Sequence, residues 1–264
     1  KSLRRFDAGT LEIGRPELAA AKDFASSAKR SAEIVQKVKI ASLKTSPIIN
    51  GDFSKYESFA VKIAREGQGA SAKAALAWDE KCLYAAFDVS DESPWLNNGS
   101  DFSRLFKSGD CVDVQLSTKL GAKQSSEPEA GDIRIVIGRC EGRNVAVLMA
   151  PVDKSAPAAL SKNYSSPVMA RKFDRVEVLA EDKIAVKTRK DGYVVEAAIP
   201  LAKIGLSPKA GMKTKGDLGF ISSDKDGLAD VARTYLFNKD TNLVKDLPGE
   251  AWLSPSAWGD FTFE

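Results

Sequence analysis

The sequence predicts an all-β fold, an antiparallel β-sandwich of the jelly-roll or immunoglobulin-like kind. One observation is a hairpin in residues 74–91, where a run ending at Trp78 precedes a polar turn and an alternating run from Cys82 to Val89. Another is that short apolar runs, separated by Gly, Pro, Asp and Asn, recur through residues 46–264. The length of 264 residues suits one large β domain.

The second strand of this hairpin predicts one buried face and one polar face. Leu83 and Phe87 lie on the apolar side, whereas Tyr84 and Asp88 lie on the other. We therefore expect a half-buried strand with polar groups left on its outer face.

Residues 1–45 are predicted to be an N-terminal arm or linker that is partly helical. Residues 16–37 are rich in Ala, Lys, Glu and Ser, contain no Gly, and place Leu18 and Phe24 at near-helical spacing. The apolar face of this helix is thin. A packing arm and a partner-binding helix both remain open.

The rest of the chain, residues 46–264, is assigned to the sandwich. Predicted strands cover residues 47–52, 133–137, 145–150, 176–179, 184–188, 193–199, 217–222, 233–237 and 259–264. The runs at 176–179, 184–188 and 193–199 are expected to form a meander. Residues 200–205 predict a helical turn, and the polar stretches 120–130 and 154–167 predict surface loops.

Composition excludes several classes of function. The chain is 43% hydrophobic and 28% charged, as in a soluble globular protein, and no apolar run approaches the roughly 20 residues of a membrane span. The net charge of +3 comes without a basic stripe, which argues against nucleic acid. The absence of His excludes Ser-His-Asp and Cys-His catalysis and His metal sites, but not carboxylate-pair chemistry.

The cysteine count does not decide the compartment of this chain. Cys82, Cys111 and Cys140 show no CxxC spacing, so they form either one disulfide with an odd thiol or three buried free thiols. The chain starts with Lys and shows no basic leader with an apolar core. We expect an extracellular or periplasmic (secreted) protein whose signal peptide is absent from this fragment.

Five short segments occur in an order that resembles a known family. They are SPIINGD (46–52), AWDEKCLY (77–84), GDCVDV (109–114), DGYVVEAAIP (191–200) and WGDF (258–261). This series resembles the family 9 carbohydrate-binding modules and their relatives with DOMON-like β-sandwiches in bacterial secreted proteins. The resemblance implies a sandwich that binds glycan ends in a slot between two aromatic rings, without catalysis and often with structural calcium.

The resemblance also implies a contact set for the sugar. Asp113 lies where the family has a sugar-binding carboxylate, Arg134 where it has an arginine, and Trp252 where it has one clamping tryptophan. Phe106 stands in place of the second clamping Trp, and Ser223 in place of a longer amide. These two departures argue against a cellulose-type specificity more than against glycan binding.

The residues themselves leave alternatives open. Asp113 and Arg134 share the polar parity of their strands, which suits either a sugar site or a cross-strand salt bridge. Trp252 lies in a loop flanked by Pro and Gly, where it either contacts ligand or caps the sandwich edge. Trp95 is a second loop aromatic, either an anchor or the second clamp. Trp78 and Trp258 are expected in the core, and Phe106 is also compatible with burial.

Acidic residues crowd the end of the hairpin. Asp88, Asp91 and Glu92 are candidate ligands for calcium, which takes oxygen donors, although their spacing matches no EF-hand. A solvated loop is the alternative.

The sequence therefore predicts a non-catalytic glycan-binding module that is part of a larger secreted protein. Its expected partner is the end of an oligosaccharide or polysaccharide. No cofactor is expected beyond structural calcium. The alternative is a structural or protein-interaction sandwich without a sugar site. A third hypothesis is an enzyme in which an Asp/Glu pair acts on a glycoside. No residue pattern in the sequence indicates such a pair.

Overall fold

A computed structural model describes residues 37–92, 95–121, 125–180, 183–240 and 246–264. The predicted helix of the N-terminal arm lies outside these residues. The strands are β1 Val38–Ser42, β2 Val61–Ala64, β3 Ser71–Trp78, β4 Cys82–Ser90, β5 Cys111–Ser117, β6 Asp132–Cys140, β7 Arg143–Ala150, β8 Lys162–Ser165, β9 Ala170–Phe173, β10 Arg175–Ala180, β11 Ile184–Arg189, β12 Gly192–Pro200, β13 Lys213–Ser223, β14 Asp230–Tyr235 and β15 Gly259–Phe263. The helices are α1 Leu105–Ser108, α2 Leu201–Ile204 and α3 Leu247–Ala251, with 3₁₀ turns at Phe53–Phe59, Phe102–Arg104, Ala158–Leu160 and Pro255–Ala257.

The all-β prediction is confirmed, but the main sheet is mixed and not purely antiparallel. Thirteen strands form one curled sheet in the order β10-β7-β6-β5-β13-β15-β1-β3-β4-β12-β11, with β14 on β13 and β2 on β3. Strand β1 lies between β15 and β3 and runs parallel to both. This strand falls within the segment assigned to the arm, so the sheet begins before residue 46.

The predicted hairpin is confirmed, whereas its polar outer face is not. Strands β3 and β4 pair from Ser71↔Ser90 to Trp78↔Leu83. The Tyr84 side is buried together with Phe53 and Tyr56 of the first 3₁₀ turn. Both faces of β4 are therefore covered, because a segment that follows β1 folds back over the sheet.

The segment predicted as a strand at residues 47–52 is a loop instead. Gly51 adopts a φ of 72°, and the amides of Asn50 and Gly51 both donate to Glu196 Oε2 at 2.8 Å. Lys55 Nζ and the Tyr56 hydroxyl donate to Glu196 Oε1 at 2.6 and 2.8 Å. These donors satisfy a fully buried carboxylate, so two of the segments that carry the family resemblance meet in a structural clamp.

Two further predictions about connectivity are wrong. Strand β10 pairs with β7, and β11 pairs with β12, so the three runs do not form a meander. The stretch 154–167, predicted as a polar loop, contains β8, which pairs with β9 in a separate two-stranded sheet. We call β8, β9 and their connection the covering hairpin.

The burial of Trp258, Trp78 and the three cysteines agrees with the predictions for the core. Trp258 is buried, and Trp78 is partly buried with its ring 5.8 Å from that of Phe263. The three cysteines are buried free thiols, as one of the two alternatives proposed. None of the helices in the described residues combines the length and apolar character of a membrane-crossing helix.

Candidate functional site

Asp113 and Arg134 lie on one face of the sheet, on the neighbouring strands β5 and β6. The register pairs Asp113 with Val136 and Gln115 with Arg134, so the two charged side chains are diagonal neighbours. Arg134 Nη2 lies 2.6 Å from Asp113 Oδ2, and Arg134 Nε donates to the same oxygen at 2.8 Å. Both residues are fully buried. The pair is therefore an internal salt bridge, one of the two roles that its position allowed, and not an open sugar site.

Surrounding groups add further hydrogen bonds to this ion pair, although Asp113 Oδ1 has no hydrogen-bond partner among the described residues. The Tyr235 hydroxyl donates to Asp113 Oδ2 at 2.6 Å, and Arg134 Nη1 donates to the Glu250 carbonyl at 2.7 Å. Burial alone lowers the pKa of Arg134, but the adjacent Asp113 carboxylate outweighs it and raises that pKa above its ordinary value. The guanidinium thus stays charged and ties helix α3 to the sheet.

The two rings expected to clamp a sugar are joined by a chain of the protein's own rings. Phe106 is fully buried, with the Arg134 guanidinium 4.7 Å from its ring centroid. Its centroid lies 5.9 Å from that of Tyr164, Tyr164 lies 5.2 Å from Phe173, and Phe173 lies 5.6 Å from Trp252. Tyr164 and Phe173 belong to the covering hairpin. We call the space between Phe106 and Trp252 the aromatic slot, and it is filled.

Trp252 itself is partly buried at the edge of this cluster. The guanidinium of Arg171, also from the covering hairpin, lies 4.5 Å from the indole centroid. The indole Nε1 donates to Glu127 Oε2 at 3.0 Å. A cation thus covers one indole face, where a sugar ring was expected.

Trp95 does not supply a second clamp. It is buried in the main hydrophobic cluster, apart from the cluster of Phe106 and Trp252. Its ring packs 5.0 Å from Tyr193, and its Nε1 donates to Asn144 Oδ1 at 2.9 Å. Trp95 is therefore a loop anchor, the other role that its position allowed.

Ser223 lies elsewhere, at the end of β13. Its amide donates to Asp110 Oδ1 at 2.6 Å, and Leu96 donates to Asp110 Oδ2 at 2.6 Å. Burial raises the pKa of Asp110 to about 7, and these hydrogen bonds oppose the rise only in part. Next to it, Ser222 Oγ donates to Asp91 Oδ2 at 2.6 Å. Asp110 and Asp91 thus fix the strand end that carries Ser223.

The three candidate calcium ligands are not brought together. Asp88 Oδ1 accepts from Arg189 at 2.6 Å, Asp91 accepts from Ser222, and Glu92 is exposed. Within the described ranges, no group of three or more acidic, Cys or His side chains is placed to hold a metal ion. Calcium stays a prediction without a donor set at these residues.

An open cleft gathers three residues that the sequence had singled out separately. Ser223, Asp91 and Glu92 all line a cleft of about 1160 Å³. Its walls come from the ends of β4 and β13, the β2–β3 and β11–β12 turns, and β14. We call it the polar cleft.

Sequence reasoning missed a charged network behind the salt bridge. Lys107 Nζ lies 2.9 Å from Asp230 Oδ1 and 2.8 Å from Glu250 Oε1, and Arg233 Nη2 donates to the Glu250 carbonyl at 3.1 Å. Burial and the neighbouring Asp230 raise the pKa of Glu250 to about 7. The two-residue spacing of Arg233 and Tyr235 signals a shared strand face, but nothing local signals that Glu250 is buried.

The fold of this chain is similar to the folds of solved carbohydrate-binding modules. A family 9 carbohydrate-binding module from Caldicellulosiruptor kristjanssonii in complex with glucose is 18% identical, covering 87% of this chain and 96% of that chain with a TM-score of 0.54. A family 9 module from the same organism in complex with cellotriose is 19% identical, covering 87% and 94% with a TM-score of 0.54. Neither protein-family models nor curated proteins match the sequence. The structural likeness confirms the resemblance seen in the sequence at the level of fold: the chain folds like a family 9 carbohydrate-binding module.

Proposed function

We propose that this chain is a non-catalytic glycan-binding module. The observation that carries the proposal is the fold, since 87% of the chain follows modules whose structures hold glucose or cellotriose. The partner is the end of an oligosaccharide or polysaccharide, bound without a required cofactor. Calcium, if bound, is structural.

Binding without turnover agrees with the chemistry of the chain. The lack of His removes the nucleophile–base pairs that depend on imidazole. The best-formed carboxylate–cation pair, Asp113 with Arg134, is fully buried and out of reach of a substrate. We further propose that the chain acts outside the cell or in the periplasm, as one module of a larger secreted protein.

A structural or protein-interaction role without a sugar site is the second candidate. The filled aromatic slot favours it, because Tyr164 and Phe173 occupy the space between Phe106 and Trp252. The two candidates differ in one measurable property, which is saturable binding of a glycan.

The test is a glycan array probed with the whole chain, followed by calorimetric titration of each hit. We expect at least one class of glycan to bind reversibly, with glucose and cellotriose included as probes, and no release of product from chromogenic glycosides. An array without hits, together with an unchanged melting temperature at high sugar concentration, would replace this proposal by the second candidate.

A further inference from the structure

The polar cleft differs from the aromatic slot in being open. Its volume of about 1160 Å³ exceeds the roughly 300–1,000 Å³ of typical small-ligand sites, so it has room for more than one sugar ring. It lies where β4 ends at Ser90, with Asp91 directly after it, and where Ser222 and Ser223 end β13. Two sheet strands and two turns thus hold its walls in place.

The lining is rich in groups that bind hydroxyls. Asp91, Glu92, Asp191 and Gln68 line the cleft, and Glu92 and Asp191 are exposed carboxylates. Charged acceptors form stronger hydrogen bonds with hydroxyl donors than neutral groups do. The hydroxyls of a sugar ring can donate to such acceptors.

A hydrogen bond from β14 orients the Gln68 side chain. The hydroxyl of the buried Thr234 donates to Gln68 Oε1 at 2.7 Å. The acceptor end of the amide is therefore used within the protein, which leaves the N–H donors of Gln68 for a ligand in the cleft. The cleft thus offers donors as well as acceptors, as the hydroxyls of a sugar require.

The cleft also contains an apolar patch. Val231 on β14 is 55% exposed, an unusual exposure for a large aliphatic side chain, and it lines the cleft with Ala70 and Ala232. The C–H face of a sugar ring is apolar and can pack on such a patch. Polar rim and apolar patch together match the two surfaces of a sugar.

We infer that the glycan of this module binds in the polar cleft and not in the aromatic slot, and that it is a neutral oligosaccharide held through its hydroxyls. This inference rests on the proposed function and names its site. Glu92 accepts hydroxyls, Gln68 donates to a hydroxyl or ring oxygen, and Val231 packs on the C–H face. Lys190 and Lys225, at the rim, balance the acidic lining.

The test is calorimetric titration of the whole chain with cellotriose, xylotriose, mannotriose and laminaritriose. Variants Glu92→Gln and Val231→Asn alter the cleft. Their matched controls are Glu129→Gln, an exposed glutamate outside the cleft, and Leu228→Asn, an aliphatic residue that is 65% exposed. All four are surface changes, and melting temperatures verify folding.

We expect each cleft variant to weaken binding by about tenfold, the loss of one good contact, and each control to change it less than twofold. Wild-type binding that survives in both cleft variants would overturn the inference while leaving the proposed function in place. Wild-type protein that binds none of the four sugars, nor any glycan on the array, would overturn both.

Discussion

The aromatic slot and the polar cleft differ in whether their polar side chains are buried or exposed. The slot holds charged residues of the kind that bind sugars, Asp113 and Arg134, but buries them fully under the protein's own rings. The cleft has less conspicuous residues, but three of them, Glu92, Asp191 and Val231, are exposed. Residue type at a family position therefore does not establish a binding site, because accessibility is decided by segments elsewhere in the chain.

The covering hairpin accounts for the difference. It places Tyr164 and Phe173 between Phe106 and Trp252, and Arg171 over the indole. The Tyr164 hydroxyl donates to the Ser103 carbonyl at 2.8 Å, which fixes the hairpin to the turn before α1. The polar cleft has no comparable cover among the described residues.

The largest expected effect comes from breaking the buried salt bridge. Asp113→Ala leaves the Arg134 guanidinium uncompensated, and we expect a loss of about 4 kcal/mol in the free energy of unfolding. Urea denaturation measures it. The double variant Asp113→Ala/Arg134→Met is the control, because removing both charges restores much of the loss. A single variant that unfolds like the wild type but no longer binds glycan would show that the slot is the site.

The next effect tests the filling of the slot. Phe173→Ala removes a fully buried ring between Tyr164 and Trp252, and we expect a loss of about 3 kcal/mol, measured by urea denaturation. Val168→Ala is the matched control, since Val168 lies in the same hairpin but is 82% exposed. Equal stability of the two variants would mean that the hairpin does not pack on the slot in solution.

An effect that is smaller per group and per pH unit concerns the dependence of stability on pH. Burial raises the pKa of Asp110, Asp217 and Glu250 to about 7, above the values of an unfolded chain. The folded state then binds more protons than the unfolded state between about pH 4 and 7, so stability falls as pH rises through this range. Each group contributes a slope of at most about 1.4 kcal/mol per pH unit.

Urea denaturation at pH 5, 6, 7 and 8 measures this slope. Asp217 accepts from the amides of Leu218, Phe237 and Asn238, and Asp217→Asn should flatten the dependence by removing one titrating group. Stability that rises steadily from pH 5 to 8 would contradict the burial of these carboxyls.

The smallest effect concerns the cover on the indole. Arg171→Ala should cost about 0.5–1 kcal/mol, the usual value of a cation–π contact near the surface, as measured by thermal unfolding. Lys172→Ala, on the opposite side of the same strand and 64% exposed, is the control. A gain of cellotriose binding in Arg171→Ala would show that this side chain, and not the whole hairpin, closes the slot.

The sequence predicts the strands better than the site. Alternation around Trp78 and Leu83 identifies the central hairpin, because period-two burial is a local signal. Parity also places Asp113 and Arg134 on one face. The parallel pairing of β1 leaves no such signal, since it depends on contacts with strands far along the chain.

The filling of the slot was not predictable for the same reason. Tyr164 and Phe173 each stand almost alone in polar surroundings, so residues 154–167 have the composition of a surface loop. Only the pairing of β8 with β9 brings the two rings together over Phe106. Asp91, Glu92 and Ser223 were picked out for unrelated reasons, and the fold joins them in one cleft.

The most direct measurement of the central claim uses the four indole N–H signals in a ¹H–¹⁵N correlation spectrum. Each indole already donates within the protein: Trp78 to Glu264, Trp95 to Asn144, Trp252 to Glu127 and Trp258 to Gln115. Titration with cellotriose, or with the neutral trisaccharide that binds best, should leave all four in place and shift the backbone amides of Asp91, Glu92 and Ser223. A shift of the Trp252 indole with unchanged cleft amides would contradict the account and return the sugar to the aromatic slot.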